Sequence, residues 1–443
     1  MTRRSMSAPV FGALAFILGG CAEEIPTATR DELVTPGLAV EITLPFDDFV
    51  ASTAVYGGFG RAAQLGGGVV AHEFGPGPDE DGVEGPGLEA VTLARFARFP
   101  RNVTTVDTAG TNRIDTLIII QAAHVLVRFD TVGSIAEGPV EIAAHTLGED
   151  WDPATANWHF AVDTLGGEVP WSEPGGGAQR EFAKAVWDPA EGDSVEIALD
   201  SALIELWRDS TLTARDIRVS TSEPGVRLRV TLMQLRLSIL PSINPDTVLS
   251  VPVATTAATF LYDPLPRPPR SALRVGGAPS WRTVFSLDVP HSLTGYPKLC
   301  DALGCPVDIT PDHVSYAGLQ LTTLAGSPAF APSDTLILDV RMVTAPNFLP
   351  KSPLGPSTLG RRGGGNLAPE LFLAPAGQVV EIPVTDLVRD QLRGETLVGG
   401  PVTSSMALMS IVEPWSIEYA TFGGRTSSSP PSLRLILNFS RGG

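Results

Sequence analysis

Short segments in which apolar and polar residues alternate recur from one end of this chain to the other. Clear examples are residues 38–44, 91–100, 124–129 and 271–290. A period of two places every second side chain on the same face, which is typical of a β-strand with one buried face. The chain also has 45 Gly and 39 Pro for turns, and 43% of its residues are apolar, which is enough for sizeable cores. The pattern therefore predicts an all-β protein built from antiparallel β-sandwiches.

The strand pattern repeats at a nearly constant distance along the chain. Three matched pairs of positions are 190, 185 and 205 residues apart: Pro100 with Pro290, Val195 with Val380, and Leu228 with Leu433. A shift that persists over three elements indicates an internal repeat. A chain of 443 residues is also long enough for two domains. We therefore expect two tandem sandwiches, the first covering residues 38–241 and the second covering residues 242–443.

The N-terminal segment has the features of an export signal. Arg3 and Arg4 precede an apolar run at residues 8–18, which is too short to span a bilayer as a mature helix. The run is followed by small residues and a cysteine, as at a cleavage site. We therefore expect export of the chain. The alternative to a lipoprotein signal is an ordinary secretory signal in which the cysteine is incidental.

The end of the apolar run is more specific. The sequence Leu18-Gly-Gly-Cys21 resembles the lipobox of bacterial lipoproteins. That resemblance implies removal of residues 1–20 and acylation of Cys21, and Ala22 in place of Asp implies the outer membrane. Several acyl chains hold a protein stably at a membrane surface. We thus expect a protein of the bacterial cell envelope with a lipidated polar tether at residues 21–37.

Acidic residues outnumber basic residues along the chain. It has 49 Asp and Glu against 31 Lys and Arg, for a formal net charge of −18. Binding to nucleic acid requires a basic surface that contacts phosphates, so we exclude nucleic acid as a partner. The overall charge favours a neutral, cationic or metal-bridged ligand.

One Gly-rich loop concentrates carboxylates. Asp79, Glu80, Asp81 and Glu84 could bind Ca²⁺, because a hard cation takes several oxygen ligands from a flexible loop. Their spacing does not follow the EF-hand pattern, and a solvated acidic loop is the alternative. We expect neither a resident cofactor nor another metal.

Cys300 and Cys305 are the two cysteines that remain after Cys21. In an oxidising compartment, two cysteines this close in sequence indicate a local disulfide. A metal site would need further ligands, and only His291 and His313 lie nearby in the sequence. We expect a structural disulfide that closes a small loop.

The order of elements in the first module carries a family resemblance. It begins with an alternating strand at residues 91–100 and a core strand at residues 124–129. An acidic tryptophan turn follows at residues 150–158 and a Pro-Trp-Gly loop at residues 169–177. The module ends with a strand that leads into a short helix, at residues 195–207, and a final strand at residues 227–232. This order resembles DNRLRE-type modules, jelly-roll β-sandwiches of exported bacterial proteins that are related to carbohydrate-binding modules. The resemblance covers residues 38–235, and in the second module it is closest at residues 271–290. It implies two jelly-roll-like sandwiches in tandem.

The tryptophan turn and the Pro-Trp-Gly loop are the most specific parts of this resemblance. Sugar rings pack their CH faces on indole, and carboxylates accept hydrogen bonds from sugar hydroxyls. A glycan site in the first module would consist of Asp150, Trp151, Asp152, Trp158, Trp171 and Glu173. The alternative is that the tryptophans plug the end of the sandwich while Asp150 caps a turn. The second module has residues 345–350 in place of the turn, so such a site would belong to the first module alone.

The sequence has no motif of an enzyme. No HExxH pair, Gly-x-Ser-x-Gly elbow or phosphate-binding Gly-Lys-Ser loop occurs. The histidines are scattered, at His72, His124, His145, His159, His291 and His313. We expect a non-catalytic, lipid-anchored surface protein that binds a glycan or an envelope polysaccharide. The alternatives are a structural or adhesive spacer without a small ligand, and a cryptic polysaccharide-degrading enzyme.

Overall fold

A computed structural model describes most of the chain: residues 37–57, 67–75, 77–78, 84–85, 87–263, 271–277, 281–326, 330–359, 365–373, 375–395, 402–411, 413 and 417–440. The expected signal peptide, Cys21 and the carboxylates Asp79, Glu80 and Asp81 lie outside these residues. Among the described residues, no helix has the length and apolar character that crossing a membrane requires.

The elements of the first part of the chain are mostly short strands. In order they are β1 (Gly37–Pro45), α1 (Phe46–Phe49), β2 (Val50–Tyr56), β3 (Gly68–Phe74), β4 (Gly77–Pro78), β5 (Glu84–Gly85), β6 (Leu88–Phe96), β7 (Val103–Val106), β8 (Asn112–Asp115), β9 (Ile119–Phe129), β10 (Val140–Leu147), β11 (Phe160–Val162), β12 (Val169–Pro170), β13 (Gln179–Trp187), β14 (Ser194–Ala198), α2 (Ser201–Arg208), β15 (Asp216–Thr221), β16 (Val226–Leu240), β17 (Leu249–Val253) and β18 (Thr255–Asp263).

The remaining elements continue in the same style. They are β19 (Ala272–Val275), β20 (Arg282–Leu287), β21 (Ser292–Leu293), α3 (Pro297–Leu303), β22 (Val307–Asp308), β23 (Val314–Leu324), β24 (Leu336–Val343), β25 (Leu354–Ser357), β26 (Asn366–Leu367), β27 (Val379–Pro383), α4 (Thr385–Arg393), β28 (Ser405–Ser410), β29 (Ala420–Gly423) and β30 (Ser432–Ser440). Single 3-10 turns lie at Pro311–His313, Pro346–Phe348 and Pro369–Phe372.

Strands β3 to β18 form the first sandwich. Ten of them form one sheet of the order β13–β10–β15–β6–β3–β16–β9–β14, with β18 beside β6 and β17 beside β16. Strand β3 pairs with both β6 and β16 and so joins the two layers on one side. Alternate residues of both layers meet in one buried cluster, which includes Val125, Ile142, Ile217 and Leu235. Every strand pair in the described part of the chain is antiparallel, so the all-β prediction is confirmed.

Strands β1, β2 and β19 to β30 form the second sandwich. One layer has the order β1–β30–β23–β29–β19 with β27 beside β23, and the other has β2–β20–β28–β24–β25 with β26 beside β24. Its core includes Leu44, Phe285, Leu319 and Leu435, which are fully or almost fully buried. Strand β1 therefore contributes core residues to a sandwich whose other strands, β2 apart, come from the second half of the chain.

The first two strands of each module are exchanged between the sandwiches. Strand β1 pairs with β30 along its whole length, from Gly37 with Ser440 to Pro45 with Ser432, and β2 pairs with β20. Conversely, β17 pairs with β16 and β18 pairs with β6. The expected boundary between residues 241 and 242 consequently does not separate the two sandwiches. Alternation of apolar and polar residues identifies a strand with one buried face, but it does not identify the strand with which that segment pairs.

The strand pairings of the two sandwiches correspond to one another. The pairs β14–β9, β9–β16, β10–β15, β15–β6, β17–β16 and β18–β6 have the counterparts β27–β23, β23–β30, β24–β28, β28–β20, β1–β30 and β2–β20. The strands that carry the matched positions of the sequence repeat, β14 with β27 and β16 with β30, occupy the same places. Both modules thus follow one plan, and each lends its first two strands to the other.

The two sandwiches share a third buried cluster where they meet. Val69, Ala71, Leu88, Ala90, Phe260 and Tyr262 come from the first sandwich, and Trp281, Phe330, Ile417 and Tyr419 come from the second. The rings of Phe330 and Tyr419 stack with centroids 5.5 Å apart. Arg227 lies 3.8 Å from Glu418 at the same place, and both side chains are largely buried. The modules are therefore in direct contact, and each closes one end of the other.

This contact defines an inner end and a free end for each sandwich. In the first, β6 starts at the inner end and reaches the free end at Phe96, about 26 Å away at ~3.3 Å per residue. In the second, β23 runs from the free end at Val314 to the inner end at Leu324. Gly37 lies at the free end of the second sandwich, because its partner strand β30 pairs with β23 near Val314.

Cys300 and Cys305 are joined by a disulfide, with their Cα atoms 4.8 Å apart. Cys300 lies in α3, and Cys305 follows Gly304 directly after that helix. Leu299 of the same helix is buried in the second core. The bridge therefore holds the end of α3 to the loop that follows it.

The exchange of strands can be tested with an engineered cross-strand disulfide. Ala39 and Asn438 are exposed Cα partners on β1 and β30, and antiparallel partners lie ~4.5–5.5 Å apart, within disulfide range. We expect Ala39→Cys with Asn438→Cys to oxidise within one chain, seen as an intramolecular cross-link by mass spectrometry. The control pair is Ala39→Cys with Ser238→Cys, which places the second cysteine on β16 in the other sandwich and should not form the bond. A bond in the control pair alone would contradict the exchange.

Candidate functional site: the tryptophan loop and the arginine pocket

The predicted glycan residues lie in the tryptophan loop, which we define as residues 148–178 between β10 and β13. The loop packs on the outer face of the first sandwich, opposite its main core. Trp151 and Trp171 are only 3% and 5% exposed, and they contact a set of outward-facing side chains on β6 and β18: Val91, Leu93, Ala257 and Leu261. Burial of this apolar face is what holds the loop to the sheet.

A buried carboxylate fixes the first tryptophan. The indole Nε1 of Trp151 donates to Oδ2 of Asp216 at 2.9 Å, and Asp216 is 5% exposed. Arg95 donates to both oxygens of Asp216 at 2.8 Å, and its guanidinium lies 5.0 Å from the Trp151 ring centroid. The hydrogen bond to Asp216 raises the pKa of Arg95, although burial opposes the shift. The sequence pattern did not single out Asp216, which lies in β15 without any motif.

Two of the three predicted ligand carboxylates, Asp150 and Asp152, already accept hydrogen bonds from protein groups. Asp150 accepts a hydrogen bond from Arg95 at 2.5 Å, and its side chain is 85% exposed. Asp152 accepts from the backbone of Ala154 at 3.2 Å and from the hydroxyl of Thr155 at 2.7 Å. These bonds are those of a carboxylate that stabilises a turn.

A neighbouring glutamate ties the two halves of the loop together. Glu149 accepts from the backbone N–H of Ser172 at 3.0 Å and of Ala178 at 2.8 Å, and also from the Ser172 hydroxyl. The Ser172 hydroxyl is the largest single cause of a lowered Glu149 pKa. Trp171 donates its Nε1 to the backbone oxygen of Asn157 at 2.8 Å.

The other two of the six predicted residues, Trp158 and Glu173, lie at the surface of the loop and do not hold it together through side-chain hydrogen bonds. Trp158 is half-buried, and its ring lies over Gly175, where an added Cβ would come within 3.1 Å of the indole. Gly175 also has a φ of 85°, so glycine at this position allows both the close approach of the indole and the left-handed backbone. Glu173 is exposed. The three indoles thus do not form one exposed platform, because two of them fill the space between the loop and the sheet.

The loop also touches the second sandwich. Lys351 lies in an ion pair with Asp163 and 3.7 Å from Glu168. Lys351 directly follows residues 345–350, the segment that occupies the position of the tryptophan turn in the second module. The equivalent loops of the two modules therefore meet, and the tryptophan loop reinforces the contact between the sandwiches.

A pocket of about 220 Å³ lies at the free end of the first sandwich, remote from the tryptophan loop. We call it the arginine pocket. Its described lining consists of four arginines, two hydroxyl side chains and four apolar residues, and includes no carboxylate: Arg98, Phe99, Pro100, Arg101, Thr116, Ile118, Ile120, Arg208, Ser210 and Arg215. These residues come from the ends of β6 and α2 and from the segments before β9 and β15.

Arg215 forms the floor of the arginine pocket. It is 2% exposed, and its guanidinium donates to the backbone oxygens of Trp207, Asp209 and Leu212 at 2.8, 2.9 and 3.3 Å. These carbonyls belong to the C-terminal end of α2 and the turn after it, where a cation is favourable. Burial, followed by the charge of Arg98, lowers the pKa of Arg215.

The other arginines line the mouth of the pocket. Arg208 donates to Glu205 of the same helix at 2.9 Å. Arg98 and Arg101 are exposed, and within the described residues neither has a carboxylate partner. The nearby Asp209 carboxylate accepts from the backbone N–H and the hydroxyl of Thr211, both at 2.8 Å. Two of the guanidinium groups at the mouth, those of Arg98 and Arg101, are therefore exposed without a carboxylate partner among the described residues, whereas Arg208 pairs with Glu205.

The described residues contain a larger gap but no cluster of metal ligands. A larger gap of about 520 Å³ lies along β16 and the β17–β18 corner, but no charged side chain lines it and its threonine hydroxyls bond to backbone oxygens. In the described ranges, no group of three or more His, Cys, Asp or Glu side chains is arranged to hold a metal ion.

Comparison with known proteins does not identify a family. No family model matches the chain, and no curated protein matches it. A solved structure of infectious bursal disease virus, Gt strain, aligns over 91% of this chain and 71% of that chain with 12% identity and a TM-score of 0.13. A TM-score at that level supports no inference about fold or function.

The role of Asp216 can be measured by equilibrium unfolding. Asp216→Ala would leave Arg95 and the Trp151 N–H without their buried acceptor, and breaking a buried ion pair costs about 3 kcal/mol or more. Asp150→Ala removes an exposed partner of the same arginine and should cost less than about 1 kcal/mol. We expect denaturant unfolding to show this order. Equal losses for the two variants would contradict the buried network.

Proposed function

We propose that this chain is an exported, lipid-anchored, non-catalytic protein of the bacterial envelope that acts as a stiff spacer. The observation that carries the proposal is the exchange of strands together with the position of Gly37. The chain enters the described structure at the free end of the second sandwich, and the first sandwich lies beyond it. An anchor at Cys21 would therefore hold the second sandwich near the membrane and the first sandwich away from it.

Stiffness follows from the way the sandwiches are joined. The chain crosses between them twice, from β2 to β3 and from β18 to β19, so the sandwiches are tethered at two points rather than one. Separating them would expose the shared cluster around Phe260, Phe330 and Tyr419. Domains joined by a linker and a small polar interface move relative to one another, whereas a large apolar interface restrains them. The second chain crossing, from β18 to β19, adds a further restraint.

The spacer proposal predicts different distances of the two free ends from a membrane. We would place donor dyes at Ala109→Cys, on the β7–β8 turn, and at Asp312→Cys, beside Val314; both positions are exposed. The acylated protein would be reconstituted in vesicles that carry acceptor dye at the surface. We expect strong energy transfer from position 312 and weak transfer from position 109. A Cys21→Ser variant should not bind the vesicles.

Two results would contradict the spacer proposal. Equal transfer from both positions would mean that the protein lies along the membrane. Vesicle binding by the Cys21→Ser variant would mean that something other than the acyl chains attaches it.

Glycan binding by the tryptophan loop is the second candidate function. It is supported by the half-buried Trp158 ring beside the exposed Glu173, which together offer an apolar face and a hydrogen-bond acceptor. The site would be one indole wide, and Trp151 and Trp171 would support it from below.

This second candidate makes a prediction about Trp158. In a Trp415→Phe background, since Trp415 lies outside the described residues, we expect Trp158→Phe to remove most of the fluorescence that iodide quenches. A neutral polysaccharide that binds the loop should protect Trp158 from iodide, and Trp158→Ala should abolish that binding. Leu165→Ala, on the same loop and 62% exposed, is the control. Binding that survives Trp158→Ala would rule out the loop as the glycan site.

A further inference from the structure

The arginine pocket concentrates positive charge in a small space, although the chain as a whole is acidic. Four guanidinium groups line about 220 Å³, while the whole chain has a formal net charge of −18. Like charges held close together repel one another, and an anion between them would relieve that repulsion. Arg215 is held in place by three backbone oxygens, so the floor of the pocket is preorganised.

The donors at the mouth of the pocket are available to a ligand. Arg98 and Arg101 are exposed and lack a carboxylate partner among the described residues. The hydroxyls of Thr116 and Ser210 also line the pocket and can donate to or accept from a ligand. A guanidinium fork binds the two oxygens of a carboxylate, sulfate or phosphate with two parallel hydrogen bonds. The polar chemistry of the pocket is thus complementary to an oxyanion beside hydroxyl groups.

The apolar part of the lining limits what carries the oxyanion. Phe99, Pro100, Ile118 and Ile120 form walls that can pack on the CH face of a ring. Pockets for drug-sized ligands measure about 300–1,000 Å³, so this smaller space accommodates one ring and its acidic group. An acidic sugar unit combines an oxyanion, hydroxyls and CH faces in that volume.

The surroundings of the pocket argue against a membrane surface. The free end does expose apolar side chains, with Leu117 at 74% and Ile119 at 57%. Successive residues of a strand point to opposite faces, so Ile119, the first residue of β9, points away from the side on which Ile120 lines the pocket. A lipid surface would have to contact the arginines and the exposed apolar residues in one plane.

We propose that the arginine pocket binds the oxyanion of an acidic polysaccharide, that is, a carboxylate, sulfate or phosphate on a sugar unit. Arg98 and Arg101 bind the anion, Arg215 fixes the charge of the floor, and Thr116 and Ser210 contact hydroxyls of the same sugar. This site is separate from the tryptophan loop and does not depend on the lipid anchor. In combination with the spacer role, it would place a polysaccharide at the end of the molecule farthest from Cys21.

The test uses the chain from Ala22 to its end and measures binding by calorimetry. The probes are alginate for carboxylate, chondroitin sulfate for sulfate, a phosphodiester-linked teichoic acid for phosphate, and neutral dextran. We expect saturable binding of at least one acidic polymer, no binding of dextran, and affinity that falls as salt is raised. Arg98→Gln with Arg101→Gln should weaken binding at least 10-fold, because charge-assisted hydrogen bonds are lost.

The matched control is Arg113→Gln. Arg113 lies at the same free end, is 65% exposed and pairs with Asp107 outside the pocket. This variant removes one positive charge without touching the pocket, so its affinity should stay within about twofold of the parent, as a screened surface charge predicts. The second pocket variant, Arg98→Lys with Arg101→Lys, keeps the charge but loses the fork, and we expect an intermediate affinity. The lysine variant also keeps the proposal testable if the glutamine variant does not fold.

Three results would overturn the proposal. The first is no binding of any acidic polysaccharide by the folded parent chain. The second is equal weakening by Arg113→Gln and by the pocket variants, which would indicate a general charge effect. The third is binding of anionic phosphatidylglycerol vesicles or of double-stranded DNA that is as tight as that of the best polysaccharide and equally dependent on Arg98 and Arg101. That outcome would assign the pocket to a different class of partner.

Discussion

The pairing of β1 with β30 is the interaction on which the rest of this structure depends. It joins the first described residues, from Gly37, to the last, ending at Ser440, along nine paired positions. Without β1 and β2, the second sandwich would expose the strands β30 and β20 as sheet edges and would lose Leu44 and Phe49 from its core. The first sandwich depends in the same way on β17 and β18. Each module is therefore completed by two strands of the other, and the chain passes between the sandwiches twice, from β2 to β3 and from β18 to β19.

The tryptophan loop shows how a residue pattern can have two physical uses. Indole rings and carboxylates are what a glycan site needs, but they are also what a loop needs to cover an apolar sheet. The partner of the indole N–H decides between these uses. Trp151 donates to the buried Asp216 and Trp171 to a backbone oxygen, so both rings are committed to the interior. The loop also reaches Lys351, which makes it part of the joint between the sandwiches.

The arginine pocket shows the difference between net charge and local charge. The excess of carboxylates over the whole chain favours neutral or cationic partners, because net charge governs the field at long range. At short range, the charged groups within a few ångströms determine the electrostatic field that a ligand meets. The pair Arg98 and Arg101 is far in sequence from the pair Arg208 and Arg215, and the two pairs meet only where α2 ends beside the end of β6. The spacer and binding proposals concern opposite ends of the molecule and can therefore hold together.

The sequence by itself determined the all-β class, the positions of strands such as β6, β9 and β30, the plan of the repeat and the bond between Cys300 and Cys305. These features rest on local patterns, which are alternation, turn residues and close spacing. Only the tertiary structure decided which edge β1 joins, that Trp151 and Trp171 are buried, and that four arginines share one pocket. Strand pairing, burial and charge clustering depend on contacts between residues far apart in the chain. A single sequence specifies such contacts only through the folded structure, because many edges accept the same alternating strand.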